Sequence, residues 1–305
     1  MFLGIEIGGT KLQLVTGDNA GRITERCRLS VDTAHGAAGI RAQIDAALPQ
    51  LGRQDSITAV GVGFGGPVNW RTGRVACSHQ IEGWSEFDLA GWLGKLTGAP
   101  VFADNDANVA ALGEAWLGAG VGFNPAFYAT LGSGVGGGLV LDGAVYHGAT
   151  PGESELGHVR LDRSGTTLES RCSGWAVDAR IRESNRQNSE GLLCRLCGHT
   201  VGGEARHLGA ALAQGDADAR RILEETAADL AYGLSHVVHL FHPAVIILGG
   251  GLSHVGEPLR MAVQAALAPQ VMEVFQPGPP IRLAALGEDA VPVGALRLAA
   301  LGDSK

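Results

Sequence analysis

Disulfide frameworks, membrane spans and a surplus of positive charge are all missing from this sequence of 305 residues. Its five cysteines are odd in number and irregularly spaced, which favours reduced thiols. No run is long and apolar enough to predict a membrane span, and residues 1–7 lack the basic segment of a secretory signal, so we expect a cytoplasmic location. The net charge of −8 gives no general attraction to nucleic acid or to an anionic membrane.

Two common nucleotide-binding signatures are missing as well. The sequence contains no G-x-x-x-x-G-K-[ST] phosphate loop, and the glycines at 249–251 do not have the spacing of a dinucleotide fingerprint. An anionic nucleotide would therefore have to be held by other local devices, namely backbone N–H groups, helix N-termini, a lysine and a divalent metal.

Glycine, in contrast, is abundant, with 47 residues that cluster where predicted strands end. Gly8-Gly9-Thr10 separates two predicted strands near the start of the chain, and residues 132–138 separate two more. Such turns expose successive N–H groups that can cradle phosphate oxygens, because no Cβ blocks the approach. Each turn could be an ordinary hairpin tip, but their repetition suggests a duplicated domain whose two turns grip a polyphosphate in a cleft.

The hydrophobic pattern predicts an α/β chain with two domains, since 305 residues can form two cores. Apolar residues make up 45% and charged residues 18%, which is ordinary for a globular protein. We predict one domain from residues 1–118 with 290–305 and a second from residues 119–289. Strands are predicted at 2–7, 11–16, 58–64, 101–103, 126–131, 139–141 and 245–248, and helices at 36–51, 89–96, up to 117, 205–213, 216–241 and 290–301.

Five segments, taken in order, resemble the ROK proteins, a family whose name stands for repressor, open reading frame, kinase. The segments are 4–11, Asn105-Asp106 with Gly113-Glu114, 131–138, 155–158 and 248–251. Each is weak alone, but their combination is specific and spans essentially the whole chain. The resemblance implies a two-domain actin-like, ribonuclease-H-like fold with an interdomain cleft, ATP and Mg²⁺, phosphorylation of a hexose or N-acylated hexosamine, and a homodimer. It also implies that the domain of residues 1–118 with 290–305 is the sugar and catalytic-base side and that the domain of residues 119–289 is the nucleotide and dimerisation side. Because the first predicted strand begins near residue 2, we expect the kinase branch and not the repressors that carry a helix-turn-helix domain.

By this resemblance Asp106 matches the catalytic base and Asn105 a ligand of the sugar hydroxyl. A base must accept the proton of the attacking hydroxyl, and Asp106 follows a short strand at the start of a predicted helix. The plainer alternative is that an aspartate caps this helix, and Asp104 is the expected cap.

The resemblance also implies sugar binding by Glu155, His158 and Glu169 and a sugar-side loop at Gly66. ROK proteins commonly carry a cysteine-rich segment that completes a structural zinc site with the histidine. The corresponding stretch here, residues 165–170, has no cysteine, and Cys172 comes too late in the sequence. We therefore predict no structural zinc.

Two further departures concern the metal and the sugar. Glu6 replaces the common aspartate, whose carboxylate would approach Mg²⁺ directly or through water. The extra methylene is tolerable because Mg²⁺ keeps several waters, and the intact Asn105-Asp106 argues against an inactive member. Gln80 stands where the family often has a sugar-binding asparagine, which leaves the sugar preference open, and Trp84 is expected in the core.

The predicted function is thus an ATP-dependent sugar kinase. A non-catalytic sugar sensor of the same fold is the alternative. A third hypothesis, an ATPase with a bridging iron–sulfur site, has only Cys194 and Cys197 as donors, and burial of these thiols on a helix is the expected arrangement. The predicted nucleotide-binding residues lie in three glycine turns: Gly8, Gly9, Thr10, Lys11, Gly132, Ser133, Gly134, Gly250 and Gly251.

Overall fold

A computed structural model describes residues 1–51, 56–77, 81–150, 154–198 and 201–303, and the chain divides into two compact units. The first unit comprises residues 1–122, 138–154 and 285–305, and the second comprises residues 123–137 and 155–284. The first crossing between units lies close to the domain boundary expected near residue 118. In the structure, residues 138–154 belong to the first unit, whereas the sequence-based division assigns them to the second domain.

The strands of the first unit form a five-stranded sheet and a short hairpin. They are β1 (Phe2–Ile7), β2 (Lys11–Gly17), β3 (Ile23–Ser30), β4 (Ala59–Phe64), the hairpin β5 (Val68–Asn69) and β6 (Arg74–Val75), and β7 (Val101–Asn105). The sheet order is β3-β2-β1-β4-β7, antiparallel over the first three strands and parallel from β1 to β7. Parallel pairing brings the carboxyl ends of β1, β4 and β7 to the same edge, where the predicted catalytic residues follow.

The second sheet repeats this order. Its strands are β8 (Ala126–Leu131), β9 (Val135–Leu141), β10 (Ala144–Val145), β11 (Val245–Gly249) and β12 (Ile281–Leu283), arranged as β10-β9-β8-β11-β12. Counted along each sheet, the strand order is the same as in the first, with two parallel pairings at one end. Equal strand order in the two sheets is what a duplicated domain would produce.

Helices accompany both sheets. They are α1 (Gly36–Ala47), α2 (Leu89–Thr97), α3 (Asp106–Leu117), α4 (Leu168–Cys172), α5 (Gly174–Gln187), α6 (Leu192–Cys197), α7 (Leu208–Ala213), α8 (Ala217–Phe241), α9 (Glu257–Leu267) and α10 (Ala290–Asp303). Within the described residues, no helix is both long and apolar enough to cross a membrane.

The chain's last helix fixes the helix that begins at Asp106. A Cβ on Gly294 of α10 would lie 1.8 Å from the carbonyl oxygen of Val109 in α3, and one on Gly61 of β4 would lie 1.9 Å from the carbonyl oxygen of Ala295. Only glycine permits these approaches, so α10 packs directly against both the sheet and α3. The N-terminus of α3 is therefore held by a rigid core.

Most predicted elements are present, with shifted ends. The return strand predicted at 139–141 begins earlier, at Val135, and the helix predicted at 205–213 is a 3₁₀ turn, Glu204–His207, followed by α7. Strand β3 was not predicted because it lies at a sheet edge and alternates charged with partly buried residues. Trp84 is fully buried in the core of the first unit, which confirms that expectation.

Candidate functional site

The first glycine turn joins β1 to β2 and carries a cluster of charged and polar side chains. The N–H of Gly8 donates to the carbonyl of Lys11 at 2.9 Å. The ammonium of Lys11 is 3.0 Å from Oε1 of Glu6, and the amide of Gln13 donates to Oε2 of Glu6 at 2.7 Å. Burial raises the pKa of the Glu6 carboxyl, and the charge of Lys11 opposes that rise. This turn thus combines exposed backbone with a buried carboxylate and a lysine.

Asp106 is the first residue of α3 and lies at the carboxyl edge of the sheet. A Cβ on Gly65, which follows β4, would be 3.4 Å from Oδ2 of Asp106. Burial raises the pKa of Asp106 to about 7, repulsion from Glu6 adds to the rise, and the backbone N–H groups of Ala107 and Asp106 together with Lys11 oppose it. A carboxylate that takes up a proton near neutral pH is suited to general-base work.

The cap of α3 is Asn105, so the prediction that Asp104 caps this helix is wrong. Oδ1 of Asn105 accepts from the N–H groups of Ala107 at 2.9 Å and Asn108 at 3.4 Å. The side chain of Asp104 points elsewhere and is buried. Nδ2 of Asn105 donates to the carbonyl of Gly66 at 3.3 Å, which brings the predicted sugar-side loop to the predicted sugar ligand.

Sequence reasoning missed the partner of Asp104. Its Oδ2 lies 2.5 Å from Nε2 of His147, in the segment that follows β10. The sequence offers no periodic or spacing signal for this contact, because the two residues are far apart in the chain and His147 stands outside the family motifs.

The second glycine turn joins β8 to β9 and is surrounded by backbone. The N–H of Gly132 donates to the carbonyl of Gly134 at 2.9 Å, and the N–H of Gly174, at the start of α5, donates to the carbonyl of Gly132 at 2.7 Å. Gly250, which follows β11, has φ +79° and a Cβ there would lie 2.6–2.7 Å from the backbone of Leu131. Three elements of the second unit therefore meet at this turn, where the side chain of Ser133 is exposed.

Glu169 lies at this second turn. Its Oε2 accepts from the N–H of Val135 at 2.9 Å, and a Cβ on Gly134 would come within 2.5 Å of the same oxygen. Gly157 lies beside it, because a Cβ there would be 3.3 Å from Oε2 of Glu169. The carboxylate predicted as a sugar ligand thus contacts a turn predicted to bind phosphate.

The exposed side chains of Glu155 and His158 flank Gly157, with 3.9 Å between Oε2 of Glu155 and Nε2 of His158. The predicted site residues accordingly form two groups. The first unit holds Glu6, Gly8, Gly9, Thr10, Lys11, Gly66, Asn105 and Asp106, and the second holds Gly132, Ser133, Gly134, Glu155, His158, Glu169, Gly250 and Gly251.

The cysteines of the second unit are enclosed on helices. Cys172 is buried, its thiol contacts the carbonyl of Thr226 at 3.6 Å, and burial raises its pKa to about 12. In α6, Cys197 is buried and Cys194 half-buried, and both line a cavity of about 300 Å³. Among the residues that the structure describes, no three His, Cys, Asp or Glu side chains are grouped to hold a metal. Gln80 and His199, the histidine that follows Cys194 and Cys197 in the sequence, lie outside the described residues.

Comparison with known proteins gives a consistent result. A model of the ROK family matches residues 2–301. The glucokinase of Thermotoga maritima is 30% identical over 306 residues, covering 96% of this chain and 95% of that protein. A ROK family glucokinase from Streptomyces griseus, solved with glucose and AMPPNP, has a TM-score of 0.85 and 30% identity over 99% of both chains. A ROK hexokinase from Thermus thermophilus has a TM-score of 0.81 and 29% identity, again over 99% of both chains.

These similarities confirm the predicted two-domain actin-like ATPase fold. They extend over both units and leave no long part of the chain unmatched. Together with the family model, they establish that the chain belongs to the ROK family.

Proposed function

We propose that this protein transfers the γ-phosphoryl group of ATP to a hydroxyl of a hexose or a related sugar, with Asp106 as the general base. The chain is an ATP-dependent sugar kinase by its family relationships. The observation that carries the assignment of the base is the position of Asp106 at the rigid N-terminus of α3 with a pKa raised to about 7. Glucose, the ligand of the S. griseus enzyme, is the first acceptor to test.

The step requires little covalent chemistry from the protein. The sugar hydroxyl loses its proton to Asp106 while its oxygen bonds to the γ-phosphorus and the bond to the β-phosphate oxygen breaks, which releases ADP. Catalysis then depends on positioning and on neutralising phosphate charge. Asn105 and Gly66 are proposed to hold the acceptor in the first unit, and Glu155, His158 and Glu169 are proposed to bind sugar from the second.

Phosphate binding is assigned to the glycine turns. In the first turn, the N–H of Gly8 closes the turn by donating to the carbonyl of Lys11. Gly9 and Thr10 are proposed to offer backbone N–H groups to the phosphates, and Lys11 offers a cation. In the second, Gly132, Ser133 and Gly134 offer backbone and a hydroxyl. Gly250 and Gly251 are proposed to contact the nucleoside. A Cβ on Gly251 would meet nothing within 4 Å, so its backbone is open to a ligand.

The donor set near the first turn fits Mg²⁺ bound mainly by water and phosphate. Mg²⁺ usually takes one or two protein carboxylates and keeps several waters, so a cluster of three protein ligands is not required. Both oxygens of Glu6 already have a donor, Lys11 or Gln13, which favours contact through water. When bound, Mg²⁺ would neutralise charge on the β- and γ-phosphates.

The base is tested by Asp106→Asn, which keeps the shape and removes proton uptake. We expect kcat to fall about 10²–10⁴-fold, with KM for ATP nearly unchanged, in an assay of sugar-dependent ADP release. Asp88→Asn is the matched control, because Asp88 also stands at a helix start, where its side chain caps α2 by accepting from the N–H of Gly91. A folded Asp106→Asn protein with full activity contradicts the assignment. Wild-type protein that binds sugars without releasing ADP would instead be the sensor.

The raised pKa of Asp106 gives the same test a second measurement. Protonated Asp106 cannot accept a proton, so kcat/KM should rise with pH and level off above about 7. Because the folded protein holds this proton more tightly than the unfolded chain, its stability falls as pH rises toward 7. Asp106→Asn should lose that dependence and become the more stable protein above pH 7 in thermal unfolding.

We also propose a homodimer formed through the second unit. Leu240, Met272 and Val274 are exposed, at 75%, 51% and 74%. The N–H of Met272 donates to His239 of α8 at 3.1 Å, which places the segment around Met272 against the end of α8. We infer from these exposed apolar side chains that this end of α8 takes part in an interface. Light scattering should give twice the chain mass for the wild type and a single chain for Leu240→Asp with Val274→Asp. A wild-type monomer would contradict the proposal.

A cytoplasmic location is proposed with the kinase activity. ATP is available there, and the odd number and irregular spacing of the five cysteines favour reduced thiols. Cell fractionation checks the location directly, and recovery in a membrane or secreted fraction would contradict it.

A further inference from the structure

Asp104 directly precedes Asn105 and Asp106 in the sequence and has no part in the transfer described above. It is 1% exposed, two residues before Asp106. A buried carboxylate requires partners for both oxygens, because desolvation of the charge is costly. Its contacts therefore show what holds this end of β7.

The two oxygens of Asp104 have different partners. Oδ1 accepts from the N–H of Asn105 at 2.8 Å and from Nδ2 of Asn108 at 3.0 Å, so it ties the end of β7 to the first turn of α3. Oδ2 lies 2.5 Å from Nε2 of His147. His147 is thus the partner that reaches this carboxylate from a distant part of the sequence.

The imidazole of His147 is itself held by an aromatic contact. It stacks on Trp70 with ring centroids 4.3 Å apart and an angle of 13°, and the guanidinium carbon of Arg71 lies 4.4 Å from the centre of the Trp70 ring. The His147 side chain is 14% exposed. A hydrogen bond shielded from water in this way is stronger than one on the surface.

These contacts lead to the acceptor side of the site through Asn105. The N–H of Asn105 donates to Asp104. Oδ1 of Asn105 caps α3, and Nδ2 of Asn105 donates to the carbonyl of Gly66. Asp106 follows at the first position of that helix. Any displacement of Asp104 would consequently move Asn105 and Asp106 together.

We propose that Asp104 and His147 form a positioning pair that fixes Asn105 and Asp106 for the acceptor hydroxyl. The inference rests on the proposed function. His147 contacts neither reactant in this scheme and acts through Asp104. Loss of the imidazole leaves a buried carboxylate short of a partner, and the resulting shift of Asp106 lowers the rate of transfer without weakening the binding of ATP.

The test compares two substitutions of His147. His147→Ala should lower kcat about 10- to 100-fold, with KM for ATP within about twofold of the wild type. His147→Gln places an amide N–H near the position of Nε2 and should restore most of kcat. Melting temperatures are measured for each variant, so that kcat is compared among folded proteins.

His35→Ala is the matched control. His35 also contacts an aspartate, with Nδ1 2.9 Å from Oδ2 of Asp32, but the two side chains are 72% and 63% exposed. Its removal should leave kcat at the wild-type value. The proposal is overturned if His147→Ala keeps wild-type kcat, if His147→Gln restores none of it, or if the loss lies in KM for ATP.

Failure of the proposed positioning pair can be distinguished from failure of the proposed kinase function. A wild-type protein that phosphorylates no sugar contradicts the kinase proposal, whatever the variants do. Calorimetry of glucose binding then tests the pair by itself. A weaker affinity in His147→Ala than in His35→Ala supports the pair, and equal affinity overturns it.

Discussion

The two glycine turns occupy equivalent places in two sheets of the same strand order, yet they are built from different interactions. The first turn, between β1 and β2, has side-chain charge, since Lys11 and Gln13 both contact the buried Glu6. The second, between β8 and β9, is packed by backbone from the start of α5 and the end of β11. Its nearest carboxylate, that of Glu169, accepts from the backbone N–H of Val135.

This difference indicates how duplicated turns can divide one task. A turn with a lysine and a carboxylate can respond to phosphate charge and to a metal, because both groups are charged and local. A turn enclosed by backbone has little room to adjust, so it offers fixed N–H groups and a defined shape. We infer that charge neutralisation belongs mainly to the first turn and geometric definition to the second.

The largest effect expected from this comparison is on stability, with one alanine placed in the first turn and one placed after β11, where the backbone packs against the start of the second turn. Gly250→Ala forces a Cβ against the backbone of Leu131 at 2.6–2.7 Å and places alanine at φ +79°. We expect the free energy of unfolding to fall by about 2–4 kcal/mol. Gly8→Ala meets only the carbonyl of Lys11, at 3.2 Å, and should cost less than about 1 kcal/mol.

Denaturant unfolding of both variants measures this contrast. Titration with ADP adds a functional reading, since distortion of the second turn should weaken nucleotide binding more than 10-fold, equivalent to about 1.4 kcal/mol. Equal losses in Gly8→Ala and Gly250→Ala would mean that the two turns are built alike, and the proposed division of roles would fail.

The sequence predicted the turns well and their surroundings poorly, for a physical reason. Glycine positions and apolar runs are local signals, so β1, β8 and α3 could be assigned from residue order alone. Contacts between distant segments leave no such signal, which explains why His147 was missed as the partner of Asp104. Asp104 was expected to cap α3 because this partner was not foreseen, whereas the cap in the structure is Asn105. The position of Glu169 against Gly134 likewise depends on how α4 packs within the second unit.

A smaller effect is expected when Glu6 and Glu169, the carboxylates at the two turns, are compared by the Mg²⁺ requirement of their variants. Glu6→Gln removes the charge beside Lys11, and we expect the half-saturating Mg²⁺ concentration to rise about 10-fold. Burial is the main cause of the raised pKa of Asp106, and Glu6→Gln removes the repulsion that adds to it, so the rise of kcat/KM with pH should move to lower pH. Glu169→Gln is the control and should change neither quantity, because its carboxylate contacts backbone and not the lysine. If the half-saturating Mg²⁺ concentration rose equally in both variants, both carboxylates would influence metal binding. The proposed distinction between the two turns would then fail.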